Sequence, residues 1–145
     1  MVRGQGDILR DMIEPSPEIV ARLDRATAIW LTTVSADGQP QTSPVWFLWQ
    51  DGRAVVYSLA AAPRVRNLRG NPRVALNLDG DGDGGDVVTI EGTAVLDDAG
   101  APSTALPAYQ AKYLPRITEY GWTAESFARD YPQRIVITPT RLRSY

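Results

Sequence analysis

The chain has 145 residues, 43% hydrophobic side chains and a formal net charge of -2 at pH 7. This length supports one hydrophobic core, so a single folded domain is expected. The sequence contains no cysteine and no histidine, which excludes disulfides, thiolate chemistry and the commonest metal ligand and general base. The acidic balance provides no overall attraction for nucleic acid. One local cluster is basic in spite of this acidic balance, and it consists of Arg64, Arg66, Arg69 and Arg73.

The first fifteen residues mix glycine, charge and isolated apolar side chains without a clear period. We interpret residues 1–15 as an N-terminal arm, with a short helical turn around Ile8–Ile13, and residues 16–145 as one domain. Charged residues occupy the places where a signal peptide is apolar. No segment approaches the roughly 20 apolar residues that a membrane span needs. The sequence therefore predicts a cytoplasmic protein without a membrane span.

The predicted elements begin with a short helix and continue as strands. Ser16 suits the N-cap, Pro17 suits the first helical position, and the apolar face extends to about Arg25. The pattern then changes to β-branched and aromatic residues, which predict strands over 27–34, 41–49 and 54–59. Turn residues at 36–38 and 50–52 join them, so three consecutive strands are expected to form an antiparallel meander.

The second half alternates short helices with further strands. A helix over 60–70 is followed by strands over 73–78 and 87–96, which flank a loop at 79–86. Residues 103–117 have a helical composition, although Pro107 and Pro115 limit the regular part, and a short helix begins at Thr123. Closing strands over 134–138 and 140–145 flank Pro139. Six or seven strands with few helices predict a mainly-β barrel or sandwich.

The strand over 41–49 is apolar on both faces. Val45, Phe47 and Trp49 alternate on one side, and Trp46 and Leu48 occupy the other. In a single barrel one face of a strand usually meets solvent, so this pattern implies a second covering layer. A second copy of the chain is the simplest source and predicts a homodimer. The alternative is a helix of the same chain that covers the outer face.

Several familiar kinds of site are disfavoured. The Asp-Gly run over 79–84 resembles half of a calcium loop, but Ile90 stands where the bidentate glutamate belongs. Serine hydrolysis is improbable because no histidine is present to act as the base. We therefore assign neither a catalytic side chain nor a metal site.

The segment from Pro63 to Arg69 carries the best candidate site. It places Arg64, Arg66 and the Asn67 amide at the start of a helix that follows a strand. Guanidinium groups and the backbone N–H groups of a helix start both suit phosphate. A solvated basic helix face is the alternative.

An ordered set of motifs resembles a known superfamily. It consists of Thr32-Thr33-Val34, Asp37-Gly38-Gln39-Pro40, Gln41-Thr42-Ser43-Pro44-Val45-Trp46-Phe47, Tyr57-Ser58, Arg64 to Leu68 and Asn71-Pro72-Arg73-Val74-Ala75-Leu76. This succession resembles the pyridoxamine-phosphate-oxidase-like split β-barrel superfamily, and most closely its flavin/deazaflavin oxidoreductase branch. The resemblance covers roughly residues 16–145. It implies a homodimeric, antiparallel, FMN-binding type of split barrel with six or seven strands and a few peripheral helices.

The resemblance also implies a cofactor across the dimer interface, with its ring against the second strand. Residues 41–45 would line the ring, Tyr57 and Ser58 would lie beside the ribityl chain, and the basic segment would bind phosphate. Tyr109, Tyr113 and Trp122 are interpreted either as the substrate side or as simple packing residues. The cofactor-binding residues so implied are Gln41, Thr42, Ser43, Pro44, Val45, Tyr57, Ser58, Arg64, Arg66, Asn67 and Lys112.

The activity implied by the resemblance is that of a coenzyme F420-dependent reductase. The deazaflavin would exchange hydride with a small electron-poor organic substrate, so the chemistry needs no histidine. The alternatives are an FMN-dependent oxidoreductase or oxidase of the same fold, and a carrier that binds F420 or flavin without catalysis.

Overall fold

The computed structural model describes residues 14–145, and the predicted turn around Ile8–Ile13 lies outside the described residues. Four α-helices, one short 3-10 helix and seven strands make up this part of the chain. In chain order they are α1 Pro17–Arg25, β1 Ala28–Val34, β2 Pro40–Trp46, β3 Leu48–Gln50, β4 Arg53–Ser58, α2 Pro63–Gly70, β5 Arg73–Asn77, β6 Val88–Leu96, the 3-10 turn Ser103–Ala105, α3 Pro107–Glu119, α4 Ala124–Asp130 and β7 Gln133–Ser144.

All seven strands belong to one antiparallel sheet with the order β2-β1-β5-β6-β7-β4-β3. The two edge strands, β2 and β3, are consecutive in the chain and are separated only by Phe47. Because one residue joins the two edges, the sheet must curl until they approach each other. The result is the split β-barrel that the sequence predicts.

Apolar side chains pack into two clusters, one on each side of the curved sheet. The first fills the barrel and includes Leu23 from α1, while Leu68 from α2 packs against the same cluster. The second lies between β3, β4 and the helices α3 and α4, with Tyr109, Tyr113 and Phe127 at its centre. Since β3 and β4 have apolar residues on both faces, the helical layer is required to keep their outer side dry.

The structure corrects one inference about the double-faced strand. Val45, Phe47 and Trp49 pack in the barrel cluster, as their alternation predicts. Trp46 and Leu48 pack in the second cluster, against α3 and α4 of the same chain. The helix alternative therefore accounts for the outer face, and this pattern no longer requires a second copy. The homodimer stays a prediction.

Three local predictions were wrong in detail. The strand over 41–49 is broken at Phe47, whose N–H donates to the Tyr113 hydroxyl and whose carbonyl accepts from Lys112, so that neither bonds to a neighbouring strand. Helix α3 continues through Pro115, because Tyr113 and Ile117 are fully buried on either side and their packing offsets the missing backbone bond. The two closing strands are one strand that contains Pro139, opposite a register shift between Glu91 and Gly92.

Candidate functional site

Arg64 lies where three elements meet. Helix α2 starts with Pro63 five residues after β4 ends, and its first turn presents Arg64 to both β2 and β4. The Arg64 guanidinium donates from one terminal nitrogen to Ser58 Oγ at 2.9 Å and from the other to Ser43 Oγ at 3.1 Å. Two distant strand residues are thereby joined to the helix start by one cation.

A depression of about 300 Å³, the Arg64 cleft, opens beside this guanidinium. Its walls come from β1, β2 and the start of α2. Hydroxyl and amide side chains supply most of the polar surface, so the cleft can accept or donate hydrogen bonds at several points. The lining residues are Thr33, Gln41, Thr42, Ser43, Pro63 and Arg64.

The charge of Arg64 has no acidic partner among the described residues. Within residues 14–145 no acidic side chain forms an ion pair with it, and its buried Nε has no hydrogen-bond partner. Burial lowers the pKa of the Arg64 guanidinium, which nevertheless stays protonated at any physiological pH. A fixed, uncompensated cation among hydroxyl groups favours an anionic ligand, and bidentate geometry favours phosphate.

Asn67 orients the cleft wall. Its side chain is buried, and its amide nitrogen donates to Thr33 Oγ1 and to Gln41 Oε1, both at 2.9 Å. Both amide donors are thereby used within the protein. The structure therefore assigns Asn67 to positioning Gln41.

Arg66 lines a different depression. It is exposed and borders a cleft of about 630 Å³, the Arg66 cleft, together with Asn67, Gly70, Asn71 and the turn over 34–38. Asp37, whose carboxylate accepts a hydrogen bond from Ser35, faces the same space. The two arginines that the sequence groups together thus serve separate clefts, which meet at Gln41.

On the side of Pro44, Val45 and Tyr57 lies a third depression of about 340 Å³, the aromatic cleft. Arg64 also contributes to it. Tyr57 donates its hydroxyl to Ala101 O at 2.7 Å and is fixed by the loop before α3. The remaining lining residues are Trp46, Leu59, Tyr120, Trp122, Phe127 and Tyr131.

Two predicted site residues line none of these clefts: Ser58, which is fully buried and accepts a hydrogen bond from Arg64, and Lys112. The Lys112 ammonium donates to Phe47 O at 2.9 Å and to Leu23 O at 3.4 Å, and it lies 4.2 Å from the centre of the Phe47 ring. Burial lowers its pKa to about 8. Lys112 therefore clamps the break between β2 and β3, and the structure does not bring it to the Arg64 cleft.

Of the aromatic residues considered from the sequence, Tyr109 and Tyr113 are fully buried packing residues, whereas Trp122 is exposed at the aromatic cleft. Sequence reasoning missed Thr33, Leu59, Phe127 and Tyr131. Thr33 lies on a predicted strand beside Gln41, so the meander register contained a usable signal. Tyr131 is far from Trp46 in sequence, and only the packing of α4 brings them to one cleft.

The comparison with protein families decides the wider relationship. The family model described as pyridoxamine 5'-phosphate oxidase matches residues 15–145, which is almost the whole chain. The chain belongs to this family. The family includes oxidoreductases, and within residues 14–145 no helix has the length and apolarity to cross a membrane.

Solved structures support the same fold at low sequence identity. An F420 reductase is similar at 23% identity, with 90% of this chain and 98% of that chain covered and a TM-score of 0.61. A putative pyridoxamine 5'-phosphate oxidase from Listeria innocua is similar at 23% identity, with 87% of this chain and 94% of that chain covered and a TM-score of 0.60. HutZ, a haem storage protein from Vibrio cholerae, is similar at 18% identity, with 89% of this chain and 93% of that chain covered and a TM-score of 0.63. The fold is therefore shared by proteins of different activity.

Proposed function

We propose that this protein is a coenzyme F420-dependent oxidoreductase whose cofactor phosphate binds at Arg64. The observation that carries the proposal is the Arg64 guanidinium, which is held by Ser43 and Ser58 at the edge of the Arg64 cleft and has no carboxylate partner within residues 14–145. A guanidinium fixed in this way loses little side-chain entropy when it binds an anion. The similarity to an F420 reductase supports the choice of cofactor.

The residues present fit such a cofactor. Arg64 and Ser43 would hold the phosphate, and the buried Ser58 would keep the guanidinium in place. Gln41 and Thr42 offer amide and hydroxyl groups for the polar edge of the ring, and Asn67 keeps Gln41 in place. Pro44, which continues the same strand, supplies an apolar side chain, whereas the Val45 side chain packs inside the barrel. When bound, a reduced deazaflavin supplies a hydride for transfer to an electron-poor carbon.

The same phosphate site suits FMN, which also carries a phosphate. A protein that carries F420 without catalysis would use the same binding site but would not transfer hydride. Haem binding finds less support, because the sequence provides no histidine for the iron. Lys112 does not enter the proposed site, since its ammonium is bonded to backbone carbonyls elsewhere. Arg66 lines the neighbouring Arg66 cleft, so in this proposal it contributes only a positive charge beside the phosphate site.

Tryptophan fluorescence titrations with F420 and FMN test the proposal. Arg64→Ala should raise the Kd for F420 by about ten- to a hundredfold, since a charge-assisted hydrogen bond contributes roughly 1.5–3 kcal/mol. Arg69→Ala is the matched control, because it removes the same charge from the same helix but lines none of the three clefts. Its Kd should stay within about threefold of the wild type.

The outcomes separate the alternatives. Tighter binding of FMN than of F420 would replace the deazaflavin with a flavin. Binding of F420 without consumption of the reduced form, across a set of activated alkenes and quinones, would indicate a carrier. Equal losses in Arg64→Ala and Arg69→Ala would contradict a phosphate site at Arg64.

A further inference from the structure

Five aspartates of this chain are followed directly by glycine. This dipeptide is prone to isomerise without an enzyme, because glycine leaves its own amide nitrogen free to approach the side-chain carboxyl group of the aspartate. Three of the pairs follow one another in the loop over 79–86, between β5 and β6. The five pairs are Asp37-Gly38, Asp51-Gly52, Asp79-Gly80, Asp81-Gly82 and Asp83-Gly84. Their chemistry is the same, so the local structure decides which of them reacts.

The two pairs outside this loop are held by tight turns. Gly38 N–H donates to Ser35 O at 2.9 Å, and the Asp37 carboxylate accepts a hydrogen bond from Ser35 Oγ, which lowers the pKa of Asp37. Asp51 and Gly52 form the two-residue turn between β3 and β4, and both have positive φ, +54° and +74°. Strand pairing on both sides fixes this turn, so its main chain resists the rotation that ring closure requires.

Two pairs inside the loop have their carboxylates engaged. Asp79 Oδ1 accepts a hydrogen bond from Trp30 Nε1 at 2.8 Å, which ties Asp79 to β1. Asp81 Oδ1 accepts hydrogen bonds from the N–H groups of Asp83 and Gly85, at 2.8 and 2.9 Å, and these bonds lower the pKa of Asp81. A carboxylate held in this way must release its donors and take up a proton before the amide nitrogen can attack it.

The pair Asp83-Gly84 lacks these restraints. Both residues are exposed. The Asp83 side chain and the Gly84 N–H form no hydrogen bond with any other residue in the range 14–145. The electrophile and the nucleophile are therefore both free at this pair.

We propose that Asp83-Gly84 is the site at which this protein isomerises spontaneously to isoaspartate, and that local structure protects the other four pairs. In the first step the Gly84 nitrogen forms a bond to Asp83 Cγ, the C–O bond of the protonated carboxyl group breaks, and a water molecule leaves with the amide proton. In the second step water opens the succinimide ring at the former main-chain carbonyl, so the main chain runs through the former side chain. The water lost is regained, so the mass is unchanged and no oxidant is needed.

The modification is independent of the proposed function. None of the three clefts is lined by a residue of the loop over 79–86. The aged protein should therefore bind F420 as the fresh protein does, whatever its affinity. A failure of the cofactor proposal would leave this inference untouched.

Peptide mapping of aged protein tests the site. The full chain is incubated in mildly acidic buffer, with and without urea, and electron-transfer dissociation mass spectrometry locates isoaspartate by its fragment ions. In the native protein isoaspartate should form at Asp83 about two- to tenfold faster than at Asp37, Asp79 or Asp81, since each hydrogen bond that must break slows the reaction by about that factor. Asp51 should also lag behind Asp83. In urea the five pairs should approach similar rates, because the local structure is lost.

Three variants separate the structural cause from the sequence. Gly84→Ala should remove most of the isoaspartate at Asp83, because its methyl group hinders the attacking nitrogen. Gly82→Ala is the matched control: both glycines have positive φ, +90° and +87°, and open space around an added Cβ, but Gly82 does not follow Asp83. Trp30→Phe removes the indole N–H and should raise the rate at Asp79 about two- to tenfold without changing the rate at Asp83.

Several results would overturn the proposal. It is wrong if another pair reacts at least as fast as Asp83 in the native protein, or if the native protein forms no isoaspartate at Asp83 while the protein in urea does. Equal patterns with and without urea would show that sequence alone sets the rates. Equal slowing of Asp83 by Gly82→Ala and Gly84→Ala would contradict the assigned nucleophile.

Discussion

Replacing Tyr113 by phenylalanine removes the hydroxyl that organises the break between β2 and β3. Phe47 N–H donates to Tyr113 Oη at 2.8 Å. The same Oη atom lies 2.7 Å from Thr27 O and 2.8 Å from Phe47 O. The single hydroxyl proton can serve only one of these carbonyls, and Lys112 already donates to Phe47 O. The proton is therefore assigned to Thr27 O, so the hydroxyl accepts one hydrogen bond and donates another.

The expected cost of Tyr113→Phe follows from these two bonds. Losing a hydrogen bond costs roughly 0.5–1.5 kcal/mol, and leaving the buried Phe47 N–H unpaired costs about 1–3 kcal/mol more. The side chain is fully buried and the ring remains, so little cavity is created. We expect the free energy of unfolding to fall by about 2–4 kcal/mol, as measured by urea denaturation followed by circular dichroism.

Tyr120→Phe provides the matched control, since it removes the same hydroxyl from a side chain that is 63% exposed. Its effect should stay below about 0.5 kcal/mol. If Tyr113→Phe lost no more stability than Tyr120→Phe, with the denaturant slope unchanged in both, the assigned role of the Tyr113 hydroxyl would be refuted.

Three further changes probe the site and the barrel. Asn67→Leu frees Gln41 and should raise the Kd for F420 about three- to tenfold in the fluorescence titration; an unchanged Kd would contradict the positioning role. Gly92→Ala places a Cβ 2.6 Å from Thr138 O at the bulge and should cost about 1–3 kcal/mol in urea denaturation, whereas Gly70→Ala, with open space around its Cβ, should not destabilise. The pKa of Lys112 is lowered to about 8 from 10.5, so the unfolded state binds more protons between these values and stability should rise with pH there. The wild type should therefore gain stability relative to Lys112→Met from about pH 8 to about pH 10, and a flat difference would show that Lys112 is not desolvated.

The barrel was largely predictable because its signals are local. Turn residues and β-branched runs predict the meander, and Ser16 caps α1 by accepting a hydrogen bond from Ile19 N–H, as expected from its position. The break at Phe47 was not predictable, since it depends on a hydroxyl contributed 66 residues later by Tyr113. The packing of α3 and α4 over Trp46 also depends on residues far away in the sequence, so the periodicity of the strand could not predict it.

The candidate site was likewise predictable only in part. Clustering of Arg64 with Ser43 and Ser58 follows from a helix start placed beside two strands, and residue types alone indicated an anion site. Periodicity did not separate Arg64 from Arg66, because the cleft that each side chain borders depends on how α2 is rotated against the sheet. Lys112 was grouped with the site by resemblance, whereas the structure holds it at the Phe47 carbonyl.

The most direct test of the central claim compares deazaflavin–ribitol phosphate with the deazaflavin–ribitol fragment that lacks the phosphate, two compounds that differ only in that group. The Kd of each compound is measured for the wild type and for Arg64→Ala. Because Arg64 is proposed to bind the phosphate, the wild type should prefer the phosphorylated compound by about tenfold or more, and Arg64→Ala should lose most of that preference while it binds the unphosphorylated fragment normally. A preference for the phosphorylated compound that survives in Arg64→Ala would contradict the claim, because the phosphate would then be bound elsewhere.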